Sequence, residues 1–151
     1  MRIGFDCAKL VKGTSKSIGI YNITKSVVTR LARQLSKEHE LVVIGNENNR
    51  EDFDGVEFHS VELDINSTKA ILLWETVRVN SYIKKLKLDE VVFPRGFTSL
   101  FCPVKDVIIV HDLIPFYYAK HFPGVLNRVQ NAYVMLRMKS SIKTADKVIT
   151  I

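Results

Sequence analysis

A chain of 151 residues, 46% of them apolar and 25% charged, can bury a core of its own, which excludes disordered, fibrous and low-complexity classes. The 22 basic and 16 acidic side chains leave a net charge of +6, unevenly spread: residues 7–37 hold seven basic side chains and no acid, residues 47–64 seven acids against Arg50 alone. Cys7 and Cys102 have no metal or CxxC spacing, Asp6 interrupts the N-terminal apolar stretch, and no uncharged run nears the ~18 residues of a spanning helix, so neither a disulfide scaffold, a signal peptide nor a membrane span is expected.

Met1 to Asp6 reads as a first buried strand through Ile3 and Phe5. Cys7 to Lys16 reads as a polar, Lys-rich loop, and Ser17 as the N-cap of a helix. Ile20, Ile23, Val27, Leu31 and Leu35 recur at helical spacing and predict the face turned to the core. Leu41–Ile44 is a second strand, Asn46–Gly55 a polar loop, and Val56–Leu63 a third strand with Val56, Phe58 and Val61 inward. A second helix is predicted over Lys69–Leu86, with Ile71, Leu72, Glu75, Val79, Tyr82, Ile83 and Leu86 near its buried side. Glu90–Phe93 is the fourth strand, residues 97–104 a connector ending near Pro103, and Val107–Val110 the fifth strand. A proline loop, a long helix over Val125–Thr144 and a sixth strand over Lys147–Ile151 complete the chain. Short apolar strands alternating with amphipathic helices predict an α/β, Rossmann-like domain with a mostly parallel sheet and helices on both faces. Residues 1–151 form one such domain on this reading.

Three places could carry chemistry, because open parallel sheets keep ligands at the carboxyl ends of their strands. The loop after the first strand holds Lys9, Lys12 and Lys16 beside the free amides of the following helix, but only Gly13 and Gly19, so neither GxGxxG nor a P-loop is present. It is either a lip that meets an anionic or polyhydroxyl ligand or an ordinary surface loop. His111 and Asp112 end the fifth strand; adjacent side chains of a strand point opposite ways, so one faces the cleft while the other shapes the next loop. Arg95 in Pro94-Arg95-Gly96 follows the fourth strand, where an arginine clamps phosphate or carboxylate and Gly96 lets backbone approach a ligand; a charged turn residue is the plainer alternative. His39, His59 and His121 lack ligand spacing, and Trp74, Tyr82 and Tyr133 read as core or interface residues. The tyrosines are not interleaved with basic residues, so no nucleic-acid platform is expected.

Met1-Arg-Ile-Gly-Phe-Asp6, Ser17-Ile-Gly-Ile-Tyr21 with its striped helix, and Val107-Ile-Ile-Val-His-Asp-Leu-Ile-Pro115 followed by Ala145-Asp-Lys-Val-Ile-Thr-Ile151 together resemble the N-terminal domain of a family 4 glycosyltransferase of the GT-B architecture. The resemblance covers nearly the whole chain, and the last pair of segments is its most specific part. It implies the acceptor-binding half of a retaining, metal-independent sugar transferase that needs no cofactor. Its partners would be a nucleotide-sugar donor, held mainly by a C-terminal domain absent here, and a glycan or lipid-linked acceptor. His111 would line the catalytic cleft beside the transferred sugar. Lys16, Gly19, Arg95, Gly96 and Asp112 would serve substrate binding, with Gly19 near the donor phosphates or the acceptor. The basic residues of the first third would suit a phosphorylated acceptor or an anionic membrane surface. A cytoplasmic protein, peripheral on the inner face of the membrane, is expected. The chain departs from the family in having Lys16 or Ser17 where a further glycine often precedes the first helix. A non-catalytic α/β binding module, or one subunit of a two-chain transferase whose partner chain carries the donor domain, is the alternative.

Overall fold

The computed structural model describes residues 1–13, 18–35, 38–122, 124–125 and 127–151; the predicted Ser17 cap and Lys16 lie outside them. Six strands, β1 (Arg2–Asp6), β2 (Glu40–Gly45), β3 (Glu57–Ser60), β4 (Glu90–Phe93), β5 (Lys105–Val110) and β6 (Lys147–Thr150), form one sheet in the order β3-β2-β1-β4-β5-β6. Every neighbouring pair is parallel, with Phe5 level with both Val43 and Val92. The expected Rossmann-like α/β fold is therefore what the chain forms. Its central strands are continuous apolar runs because both of their faces are covered.

One face carries α1 (Ile18–Gln34), whose Tyr21 and Val28 pack on Phe5, Val43, Val92 and Ile109. Its deepest ridge is Tyr21, Thr24 and Val28, one position round from the predicted stripe, whose Ile20, Val27, Leu31 and Leu35 flank it half-buried. Thr24 is tolerated there because its hydroxyl donates to the Ile20 carbonyl at 2.7 Å. The opposite face carries a helical rod, α2 (Thr68–Leu73), a π segment (Trp74–Arg78) and α3 (Val79–Lys85), together with α5 (Arg128–Thr144). There Trp74, Val79, Ile83 and Met138 pack on Ile44, Val91, Phe93 and Ile108. The rod matches the predicted second helix, and Ser67 caps it by accepting from the Ala70 N–H at 3.3 Å.

Four local differences from the sequence reading have physical causes. The β1–α1 loop is not polar throughout: Cys7, Ala8 and Leu10 are fully buried. Asn46 donates to the Ala8 and Leu10 carbonyls, and Asn49 to those of Cys7 and Leu10, so residues after β2 fasten the loop after β1. The polar loop after β2 contains a 3₁₀ turn, Arg50–Phe53, which buries Phe53. The proline loop contains a helix, α4 (Ile114–His121), where Pro115 sits in the first turn and costs no hydrogen bond. Finally, α5 begins at Arg128 rather than Val125, because Asn127 caps it by accepting from Gln130 N–H at 3.1 Å.

Candidate functional site

The strand order reverses at β1, which pairs with β2 on one side and with β4 on the other. Open α/β sheets leave a crevice beyond the carboxyl ends of such a strand pair. Here that crevice is walled by Asp6 at the end of β1, Lys9 from its loop, Pro94 and Arg95 from the turn after β4, Phe97, and Glu75 of the π segment. It opens into a cleft of about 650 Å³ between the α2 rod and the start of α5, where Lys9, Glu75 and Arg95 meet Tyr133 and Gln130.

The π segment presents Glu75. Widening a helix by one residue per turn shifts the side chains on its two sides and alters the backbone bonding. The Thr76 hydroxyl donates to the Leu72 carbonyl at 2.6 Å, and the Thr76 carbonyl accepts from Leu100 N–H at 3.0 Å. Trp74 then enters the core, its indole N–H directed at the Asp6 carboxylate at 3.2 Å, while Glu75 turns to the cleft and pairs with the Lys9 ammonium.

Four charged groups thus share a small, largely dry space. Burial raises the Asp6 carboxyl to about 6, against the restraining N–H groups of Ala8 and Trp74; the negative Glu75 raises it further and Lys9 opposes. Burial also lowers the Lys9 ammonium, and the like charge of Arg95 adds to this, while Glu75 holds it up. Burial raises the Tyr133 phenol. The Arg95 Nε is buried with no hydrogen-bond partner among the described residues, and the Tyr133 hydroxyl is buried beside the Arg137 guanidinium, which partly offsets the rise. A guanidinium lining a cleft can donate from its terminal nitrogens to a phosphate, a carboxylate or a sugar hydroxyl.

The predicted residues fall in different places. Arg95 is in the cleft. His111 stands behind it: its half-buried ring donates through Nε2 to the Pro94 carbonyl at 2.8 Å, latching the turn that carries Arg95 and leaving Nδ1 for other partners. Asp112 is exposed and accepts from the Ile114 N–H at 2.9 Å, so it shapes the entry to α4. Gly96 has φ +75° and is buried; a Cβ there would meet the Ile109 carbonyl at 3.5 Å and Met138 at 3.7 Å, so the turn and the packing against β5 account for the glycine. Gly19 lies exposed in the first turn of α1, with open space around it. Lys12 lies 3.6 Å from Asp52, and its backbone N–H donates to Asn48 at 2.6 Å.

Asp6 and Glu75 are site residues the sequence reading did not select. A glutamate on the predicted buried side of an amphipathic helix was the signal for one. An aspartate closing the first strand was the signal for the other. No family model matches this chain, and no curated protein matches it with significance.

Proposed function

We propose that this domain is the acceptor-binding half of a retaining, metal-independent glycosyltransferase, which moves a sugar from a nucleotide-sugar donor to a glycan or lipid-linked acceptor. The observation that carries the reading is the crevice where the strand order reverses, with Arg95 in its wall, the Nε of that residue without a hydrogen-bond partner among the described residues, and His111 latched to the same turn. The cleft offers what a polyhydroxyl ligand needs: carboxylates to accept from hydroxyls (Asp6, Glu75), cations to hold an acidic group (Lys9, Arg95), and aromatic walls (Phe97, Tyr133). On this reading Arg95 orients the acceptor, and His111 Nδ1 meets the sugar near the reacting carbon once a donor domain, on the same chain or a partner chain, closes over the cleft.

The test is sugar transfer by the native protein, captured from its own cells with an antibody to this domain and supplied with labelled nucleotide sugars and a lipid extract. We expect a mass roughly twice 17.2 kDa or more, or a co-captured partner chain. We also expect Arg95→Ala and His111→Ala each to lower transfer about a hundred-fold. The melting temperature of each variant, read alongside transfer, separates a lost contact from a lost fold. Unaltered transfer in both variants would sink the assignment; no transfer with any donor, by a native protein no larger than this chain and without a partner, would leave a binding module.

A further inference from the structure

The crevice and the wider cleft share Lys9, Glu75 and Arg95, but of the two only the crevice includes Asp6. The crevice has room for about 10 Å³, no more than a water molecule, so a ligand stops in the cleft and Asp6 stands behind the charged groups that meet it. The Asp6 carboxylate is loosely held. The Trp74 indole N–H reaches its two oxygens at 3.2 and 3.3 Å, and the Ala8 N–H reaches Oδ1 at 3.3 Å, all longer than a charge-assisted bond normally is. Facing it are Lys9 and the buried Cys7 from its own loop, Glu75 from the rod and Arg95 from the turn after β4, with Tyr133 of α5 across the cleft. With both acids ionised the two cations and two carboxylates cancel. A bound anion upsets that balance, and one proton on a carboxylate restores it. Glu75 is the poorer place for the proton, because the Lys9 ammonium lies against it. Asp6 is the better one: burial first, and the negative Glu75 after it, raise its carboxyl to about 6.

We propose that the cleft takes up a ligand bearing one acidic group together with one proton, the acid resting on Arg95 and the proton on Asp6. This deepens the reading of the cleft as an acceptor site and rests on it. The ligand is then a sugar carrying a carboxylate or a phosphodiester, and mild acidity favours its capture. Asp6 acts through charge alone, across a gap too narrow and dry to screen it. Trp74 reports on the event. It is the single tryptophan of the chain, and its indole N–H bonds to the carboxylate that takes the proton.

The test follows Trp74 emission of the full chain from about pH 4.5 to about pH 8, alone and with glucuronate, dimethyl phosphate or methyl glucoside. The first two probes keep one negative charge across this range, and the third is neutral. Emission of the chain alone should turn over at about pH 6. Either anion, at saturation, should raise that midpoint by about one unit and, by reciprocity, bind about ten-fold more tightly at the acid end of the range than at the alkaline end. The tighter anion tells a carboxylate from a phosphodiester, and methyl glucoside should move nothing. Asp6→Asn should abolish the emission change and hold the anion tightly at both ends of the range. Arg95→Gln should lose the anion at both. Calorimetry of the unaltered chain in two buffers, which needs no variant to fold, should show about half a proton taken up per anion at about pH 6.5. Equal affinity across the range, no binding of either anion, or binding retained in Arg95→Gln would overturn the proposal. So would a pH dependence that survives in Asp6→Asn, which would assign it to His111, latched to the same turn. None of these measurements needs a donor. Sugar transfer without proton uptake would leave the acceptor reading standing and overturn this inference, and a proton-coupled anion site in a protein that transfers no sugar would do the reverse.

Discussion

Asp6 sits where a sheet residue becomes a site residue, and its titration should be measurable. Its carboxyl rises to about 6 in the folded chain, mainly through burial, against about 4 when unfolded. Between those values the folded chain holds a proton that the unfolded chain has lost. Stability attributable to Asp6 therefore falls as pH rises through that window, and the full cost, on the order of 3 kcal/mol, is present above it. Asp6→Asn can still accept from both Ala8 and Trp74 through its amide oxygen. It should remove this fall, seen as a flatter urea midpoint between about pH 4 and pH 7 than in the unaltered chain. Asp52, lowered by its bonds from Lys25 and Tyr21, and Glu57, lowered by His59 and Arg2, work the other way, losing stability as pH falls. They are common to both proteins and cancel in the difference. At this scale the sequence was informative where a residue's place in the chain determines its surroundings, as for Arg95 and His111 at strand ends. It pointed to Lys9 as part of a basic lip but was silent on its pairing with Glu75, which lies 66 residues away and is brought close only by the crossover of the rod.

Among the elements, the fastening of the β1–α1 loop makes a sharp prediction. Gly45 ends β2, and a Cβ there would stand 2.4–2.5 Å from the Phe58 ring and the Asn49 amide oxygen. Gly45→Ala should cost about 1–3 kcal/mol and loosen the loop that carries Lys9, seen as faster amide exchange at Leu10. Gly19→Ala, with open space around it in a helix, should instead stabilise by about 0.5–1 kcal/mol. If it also weakens acceptor binding, the resemblance-based role of Gly19 gains support; unaltered binding removes Gly19 from the site. The inner strands and the first helix were legible because Leu41–Ile44 and Val107–Val110 are unbroken apolar runs and Ile20, Val27 and Leu31 keep a helical spacing. Helix α4 was not, because it buries none of its eight residues: with aromatics at three successive positions, 116–118, it presents no stripe to read.

Taken whole, the molecule has a well-covered middle and two differently treated margins. β3 continues its pairing past its end, with Val61 N–H donating to the Gly45 carbonyl at 2.8 Å, and Val61 itself is buried. β6 is exposed along its whole length, including Val148 and Ile149, so that margin presents unpaired backbone and apolar side chains together. No helix among the described residues is long and apolar enough to cross a membrane. The parallel sheet covered on both faces followed from alternating strands and helices, whereas the strand order, and with it the place of the crevice beside β1, is set by long-range pairing that no local pattern records. The absence of acids from residues 113–145 was equally plain in the letters, but the outward position of Leu136 was not, since the same letters on a buried helix would be ordinary core.

The π segment amounts to one surplus residue in an otherwise regular rod, and that fixes how the cleft would respond to a change of length rather than of chemistry. Removing the exposed Val77 would let the rod close into a continuous α-helix, at little cost to its own bonding. Everything before the gap, Glu75 included, would turn about 100° relative to α3. Such a deletion should keep native far-ultraviolet circular dichroism but lower the melting temperature, because the fully buried Trp74 turns out of the core together with Glu75, and Lys9 loses its partner. A substitution scan across the same five residues would register only the loss of Trp74 or Glu75. Within this fold, the site is held in a count of residues as much as in their identity.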